Sequence, residues 1–239
     1  MSIPQWMTRT DLLLGQDAIK KLMDAHVLVV GLGGVGGICA EMIARSGVGH
    51  MTIVDADVVE ASNRNRQVPA LVSTDGQSKA MVLGARLLDI NPDLDLTIIN
   101  EFINPTNTPE LLKSTKFDYV ADCIDTLTSK ANLIRECYEQ GIPVASSMGA
   151  GSKVDPTQVK ISDIAVTYNC KLAYHVRKRL HRSGIRRGIQ VVWSAERPAE
   201  KRMIVTEGGP KKSIVGTISY MPAVFGCAMA SIVVRSIYE

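Results

Sequence analysis

Gly31-Leu32-Gly33-Gly34-Val35-Gly36 follows an apolar run, His26-Val27-Leu28-Val29-Val30, and opens a helical pattern. Glycines at 31, 33 and 36 satisfy Gly-x-Gly-x-x-Gly, in which a strand turns sharply into a helix and a phosphate approaches the helix N-terminus. Free N–H groups and the helix dipole favour an anion there. Asp55 stands 19 residues beyond Gly36, at the end of the next apolar run, where a carboxylate can grip ribose hydroxyls. NAD and ATP proteins both use these parts, so the turn alone indicates a nucleotide without choosing one. A second set of residues separates the two. Asp55-x-Asp57 leads into Asn63-Arg64-Asn65-Arg66-Gln67, Lys79 follows, and Asp125 comes just after a later apolar run. Hydride transfer has little use for this combination. A triphosphate does: arginine and lysine neutralise its oxygens, and a carboxylate holds Mg²⁺ against them. Any one of these residues alone is an ordinary solvated charge. Their recurrence at successive strand ends is what carries weight.

The elements that must position them alternate along the chain. Residues 26–30 and 51–54 read as buried strands around a helix marked by Val35, Ile38, Cys39, Met42 and Ile43, which Gly47 and Gly49 end. A helix over 78–90 stops at Asn91-Pro92, a strand follows over 94–102, and Thr108-Pro109-Glu110 begins another helix with proline in the first helical position. Strands over 119–124 and 142–147 flank a helix over 129–139 that Gly141 ends. The reading is an α/β protein with a Rossmann-like, doubly wound, mostly parallel sheet and helices on both faces. Past Gly149 the pattern changes, with strands over 158–164 and 190–194 around a basic helix over 171–183 in a C-terminal extension. Residues 196–212 are polar and rich in proline and glycine, and are expected to be a mobile crossover. The uncharged stretch 213–234 is long enough to span a bilayer, but its Gly, Ser, Thr and Pro content favours a short strand and a buried helix. The whole chain reads as one domain, with a nucleotide-binding half over 1–150 and a substrate and dimer half over 151–239.

Other chemistries are excluded by what is missing. The five cysteines include no Cys-x-x-Cys pair, which removes a zinc half-site and points to free, buried thiols in a reducing, cytoplasmic setting. Cys227, within an apolar helical stretch, is expected to be a small buried hydrophobe rather than a nucleophile. The four histidines show no ligand spacing. The N-terminus lacks the apolar run of a secretory signal. A net charge of +3 is too small by itself to indicate a nucleic-acid partner.

Gly31-x-Gly33-Gly34-x-Gly36, Asp55-x-Asp57, Ser62-Asn63, Arg66-Gln67, Lys79 and Asp125 together resemble the adenylating domain of ubiquitin-activating-enzyme-like proteins, the ThiF/MoeB superfamily. The resemblance runs from residue 9 to about residue 232. It implies a cradle of Gly31, Gly33, Gly34, Gly36, Asp57 and Gln67, with Asp55 on the ribose. It implies that Asn63, Arg66 and Lys79 meet the phosphates of ATP and that Asp125 holds Mg²⁺. Arg9, in Arg9-Thr10-Asp11-Leu12-Leu13-Leu14-Gly15, matches an arginine that reaches the partner subunit's ATP, which implies a homodimer and places Arg9 with Arg66, Lys79 and Asp125 in the catalytic set. Such enzymes adenylate a carboxylate by positioning and charge neutralisation.

Within that superfamily the chain is most similar to the TcdA (CsdL) branch of tRNA threonylcarbamoyladenosine dehydratases. The similarity rests on Asn63-x-Asn65-Arg66-Gln67, Asp155-Pro156-Thr157-Gln158, Ser194-x-Glu196 and Gly209-Pro210-Lys211. It implies a tRNA substrate whose threonyl carboxylate is adenylated and then attacked by an atom of the same side chain, releasing AMP. Lys171, Arg177, Lys178, Arg179, Arg182, Arg186 and Arg187 crowd into 17 residues and are the expected tRNA contacts. A sulfur-transfer protein is a further candidate partner, though Ile214-Val215-Gly216-Thr217 offers it no cysteine. The rival readings are an adenylyltransferase for a ubiquitin-like C-terminus, a non-catalytic nucleotide- or RNA-binding scaffold, and an NAD-dependent oxidoreductase.

Overall fold

The computed structural model describes residues 3–198, 203–205 and 213–239. Its centre is a seven-stranded sheet of β1 (His26–Val30), β2 (His50–Val54), β3 (Asp95–Ile99), β4 (Tyr119–Asp122), β5 (Val144–Ser147), β6 (Val159–Asp163) and β7 (Gln190–Ser194). The spatial order is β3-β2-β1-β4-β5-β7-β6, and every pairing is parallel except β6 with β7. A separate antiparallel pair, β8 (Met203–Val205) and β9 (Ser213–Val215), aligns Met203 with Val215.

The helices are α1 (Thr8–Leu14), α2 (Gln16–Asp24), α3 (Gly36–Arg45), α4 (Lys79–Ile90), α5 (Thr108–Lys113), α6 (Leu127–Glu139), α7 (Lys171–Arg182) and α8 (Tyr220–Tyr238). Side chains alternate across a strand, so each central strand feeds two cores. Val27 and Val29 pack with Ile43 of α3, Leu83 and Leu87 of α4, and Phe225 and Met229 of α8. Leu28 and Val30 pack with Leu111 of α5, Leu133 and Ile134 of α6, and Val176 and Leu180 of α7. Strands buried on both faces need continuous apolar runs, which is why the sequence pattern exposes them so plainly.

The basic helix is α7, which connects β6 to β7. Residues 213–215 and 220–238 form the short strand and long helix expected there. By length and composition α8 is apolar enough to cross a membrane, yet Met221, Phe225, Met229 and Val233 are buried in the core. Two short helices before β1, α1 and α2, escape the periodicity because Gly15, at φ +80°, separates them. Of the crossover expected to be mobile, 199–202 and 206–212 lie outside the described residues, and 203–205 form β8. Glu196 at its start is fixed: its carboxylate accepts the N–H of Val154 at 2.9 Å and of Asp155 at 2.9 Å.

Candidate nucleotide site

β1 and β4 lie side by side with Val30 opposite Asp122. The chain leaves β1 toward α3 on one face and leaves β4 toward α6 on the other. Such a switch in winding opens a crevice at the carboxyl edge of the sheet, where open α/β sheets bind ligands. The glycine turn lines this crevice. Gly31 adopts φ +86°, and a Cβ there would come within 3.0 Å of the Cys123 carbonyl. A Cβ at Gly36 would lie 1.7 Å from the Gly31 oxygen. Both contacts are with backbone, so no side chain could give way and only glycine fits. α8 backs the turn from behind, since a Cβ at Gly34 would meet the Pro222 side chain at 2.9 Å.

The helices flanking the crevice are open to an anion. α4 is capped by Ser78 Oγ and α7 by Cys170 Sγ, whereas neither α3 nor α6 has a side-chain cap. Uncapped N-termini keep N–H donors and the positive end of the dipole available. Two oxygens of this region, Gln67 Oε1 and Thr126 Oγ1, are buried without a hydrogen-bond partner. Buried polar atoms are normally paired, and a bound nucleotide would supply what these lack.

Asp55 ties the turn to β2. Its Oδ2 accepts the Leu32 N–H at 2.6 Å and its Oδ1 accepts the Asp57 N–H at 2.8 Å. Burial raises the carboxyl's pKa, opposed by those two N–H groups and by the Lys79 ammonium. Each carboxylate oxygen has further acceptor capacity, so both bonds are compatible with a ribose contact. Lys79 is 5% exposed and donates to Asp57 Oδ2 at 2.9 Å, which leaves two ammonium protons for other acceptors. Arg66 donates to Ser62 O at 3.0 Å and to Asn65 Oδ1 at 2.8 Å, and its carbonyl borders Gly34. The Gln67 amide lies over Gly33. Asn63 is buried and holds its own turn, accepting the Glu60 N–H at 3.3 Å and donating to Ser62 Oγ at 3.3 Å.

Asp125 is exposed on the β4–α6 turn, two residues beyond Cys123. Among the described residues no three His, Cys, Asp or Glu side chains gather as a metal cage. Mg²⁺ does not require one, because it keeps several waters and takes one or two carboxylates plus phosphate oxygens. Asp125 beside a triphosphate fits that pattern. Arg9 is exposed on α1, away from its own chain's crevice. Met7, two residues earlier, packs on Gly47 at the opposite end of α3 from the glycine turn.

Residues 8–239 match the model of the ThiF family. The chain belongs to the ThiF family. It is 42% identical over 191 residues to a tRNA threonylcarbamoyladenosine dehydratase of Bacillus subtilis, covering 80% of this chain and 75% of that protein. It is 36% identical to the Escherichia coli enzyme of the same name, over 92% of this chain and 88% of the other. The crystal structure of that E. coli dehydratase, TcdA, in complex with ATP superposes with a TM-score of 0.89 at 33% identity, covering 99% of this chain and 97% of the other. The E. coli protein has also been crystallised with AMP.

This ThiF-family chain also holds polar groups that sequence reading missed. Asp122, Lys130 and Ser146 are wholly buried and joined to one another beneath the β4–α6 turn. Asp122 ends an otherwise apolar buried strand, and that anomaly was the available signal. Lys153, 2% exposed, donates to the carbonyls of Asn169 and Glu196, and burial lowers its pKa. Cys227 corrects an expectation. It is exposed, because α8 turns Phe225 and Met229 to the core and Cys227 to the other side. The α7 cluster divides in two. Arg177 donates to the carbonyls of Thr167 at 2.9 Å and Ile164 at 3.3 Å, and Arg179 donates to Thr128 Oγ1 at 2.9 Å. Both guanidiniums are held by protein oxygens. Lys171, Lys178, Arg182, Arg186 and Arg187 face solvent.

Proposed function

We propose that this chain is an ATP-dependent tRNA threonylcarbamoyladenosine dehydratase. The observation that carries the reading is the near-complete match to the dehydratase bound to ATP, together with a crevice suited to a nucleotide where β1 and β4 lie side by side. A carboxylate oxygen of the threonyl side chain attacks the α-phosphorus, and the bond to pyrophosphate breaks. An atom of the same side chain then attacks the acyl carbon, AMP leaves and a ring closes. The net change is loss of one water from the nucleoside and conversion of ATP to AMP and pyrophosphate. An intramolecular nucleophile has a high effective concentration, so no enzyme thioester is required.

Each protein group has a place in this scheme. The glycine turn and the open N-termini of α3 and α6 receive phosphate. Asp55 holds the ribose, while Lys79, Arg66, Asn63 and Gln67 line the phosphate path. Asp125 would hold Mg²⁺, which supplies charge neutralisation at the phosphates when bound. The adenylating unit comprises the nucleotide half over 1–150 and the substrate half over 151–239. It acts in the cytoplasm as a homodimer, with Arg9 serving the partner's site. The position of Arg9, remote from its own crevice, supports that arrangement.

The exposed cations of α7 supply the tRNA surface. Lys171, Tyr174, His175, Lys178 and Arg182 recur at steps of three or four, which puts them on one helical face. The Tyr174 and His175 rings meet edge to face at 5.1 Å, adding flat apolar surface among the charges. Lysine and arginine attract phosphates, and aromatic faces accept unstacked bases.

The test is to incubate the protein with ATP, Mg²⁺ and tRNA bearing threonylcarbamoyladenosine, then weigh the nucleoside. Loss of one water with stoichiometric AMP supports the reading. An unchanged nucleoside, alongside pyrophosphate exchange driven by a small protein ending in Gly-Gly, would replace it with a ubiquitin-like adenylyltransferase.

A further inference from the structure

Beneath the β4–α6 turn lies a polar cluster with no access to solvent. Asp122, Lys130 and Ser146 are each 0% exposed. Lys130 Nζ donates to Asp122 Oδ2 at 2.6 Å and to Ser146 Oγ at 3.0 Å, and Ser146 Oγ–H donates to Asp122 Oδ2 at 2.6 Å. Three elements meet there: β4, β5 and the second turn of α6.

For stability alone this is a poor arrangement. Removing two charges from water costs as much as their attraction returns, and a well-packed apolar trio of equal volume commonly does as well or better. What a buried pair can provide is a defined geometry, and here that geometry is transmitted to one turn. Asp122 Oδ1 accepts the Ile124 N–H at 3.1 Å. Lys130, drawn toward Asp122, begins its own helical bonding by donating its N–H to Thr126 O at 3.1 Å. Asp125 lies between these two fixed points. The same turn forms the floor of the glycine loop, because the Cys123 carbonyl is what forbids a Cβ at Gly31.

We infer that Asp122, Lys130 and Ser146 are positioning residues that fix the β4–α6 turn, and through it hold Asp125 in register with the metal-bearing phosphates. The inference rests on the ATP reading for its metal and on the hydrogen bonds above for its mechanics. None of the three touches nucleotide. They act through the backbone of the turn that carries the Asp125 carboxylate.

The experiment compares the wild-type chain with the double variant Asp122→Asn/Lys130→Met, which removes both charges together and so leaves neither ion stranded. Two readouts are taken. Without any ligand, amide hydrogen exchange at Ile124 and Asp125 should accelerate while β1 and β2 keep their protection. With ATP, the Mg²⁺ concentration giving half-maximal ATP binding by calorimetry should rise about tenfold, the effect typical of losing an outer-shell partner. Lys130→Arg, which keeps the charge, should return both readouts part-way to wild type. Unchanged exchange at the turn together with an unchanged Mg²⁺ titration overturns the inference. Should the double variant fail to fold, Ser146→Ala keeps both charges and removes one neutral partner. It should shift both readouts in the same direction by a smaller amount, and wild-type behaviour there also overturns the inference. The exchange readout needs no nucleotide. If the wild-type chain shows no Mg²⁺-dependent ATP binding, the ATP reading fails while the exchange data still decide whether the cluster fixes the turn.

Discussion

At the carboxyl edge of the sheet, positive charge is buried and fixed; on the outer face of α7 and the segment after it, it is exposed and spread out. Lys79, Lys130 and Lys153 are nearly or wholly inaccessible, and each points its ammonium at protein oxygens. Lys171, Lys178, Arg182, Arg186 and Arg187 stand in water. The difference matches two tasks. A reacting phosphate needs charge at a set place in a medium of low dielectric, where each contact counts for more. A polyanion needs attraction that acts at a distance and tolerates many poses, and exposed, screened cations give that. Substitution of Lys79 should therefore change turnover steeply, substitutions of Lys130 and Lys153 should act through the segments they hold, and those in the second set should change salt-dependent association.

The largest expected effect is at Lys79. Lys79→Ala should lower ATP-dependent turnover by about 10²- to 10³-fold, the usual cost of losing one electrostatic stabiliser of the transition state. It also leaves Asp57 without its cation, and because Asp57 is exposed that residual charge is hydrated at little cost. A steady-state assay of AMP release beside a thermal melt separates the two. Turnover within tenfold of wild type would place Lys79 in the fold alone.

Asp125 sharpens the contrast, because it lies at the carboxyl edge of the sheet and yet is exposed. Asp125→Ala should lower AMP formation by about 10²-fold. Raising Mg²⁺ should recover part of the loss. A variant with normal AMP formation would remove Asp125 from the metal.

The glycine turn was legible from sequence because backbone geometry selects residue type. Only glycine tolerates the Gly36 contact with the Gly31 oxygen, so the chemistry leaves its mark at fixed spacing. Asp55 was legible for a similar reason, since it ends an apolar run. The Asp122–Lys130–Ser146 cluster was not, because its members come from three segments that only the folded sheet brings together. Cys227 was misread because α8 is apolar almost all round, and its periodicity does not say which side faces the core. The α7 cluster gave its charge count from sequence but not its division, since Arg177 and Lys178 look alike until one finds carbonyls and the other finds solvent.

Neutralising Lys171, Lys178, Arg182 and Arg186 together with glutamine should weaken tRNA binding with little change in ATP turnover at saturating tRNA. The slope of log affinity against log salt should flatten by about 0.7 to 0.9 for each cation that had met a phosphate. Filter binding across a salt series measures it. An unchanged slope would move the RNA surface elsewhere on the molecule.

Arg177 gives the smallest effect on RNA and the closest test of the division within α7. Its guanidinium is committed to Thr167 and Ile164, and the segment it holds packs under the helix. Arg177→Ala should therefore cost about 1–3 kcal/mol of stability by removing the guanidinium donor from the Thr167 carbonyl, with the tRNA salt slope unchanged. A thermal melt and the same salt series distinguish the outcomes. If the slope flattens while the melting temperature holds, Arg177 reaches RNA and the boundary between fixed and free charge runs through a different residue. If the melt drops and the slope holds, one helix carries both kinds of positive charge on neighbouring faces, and its sequence position alone does not say which residue does which.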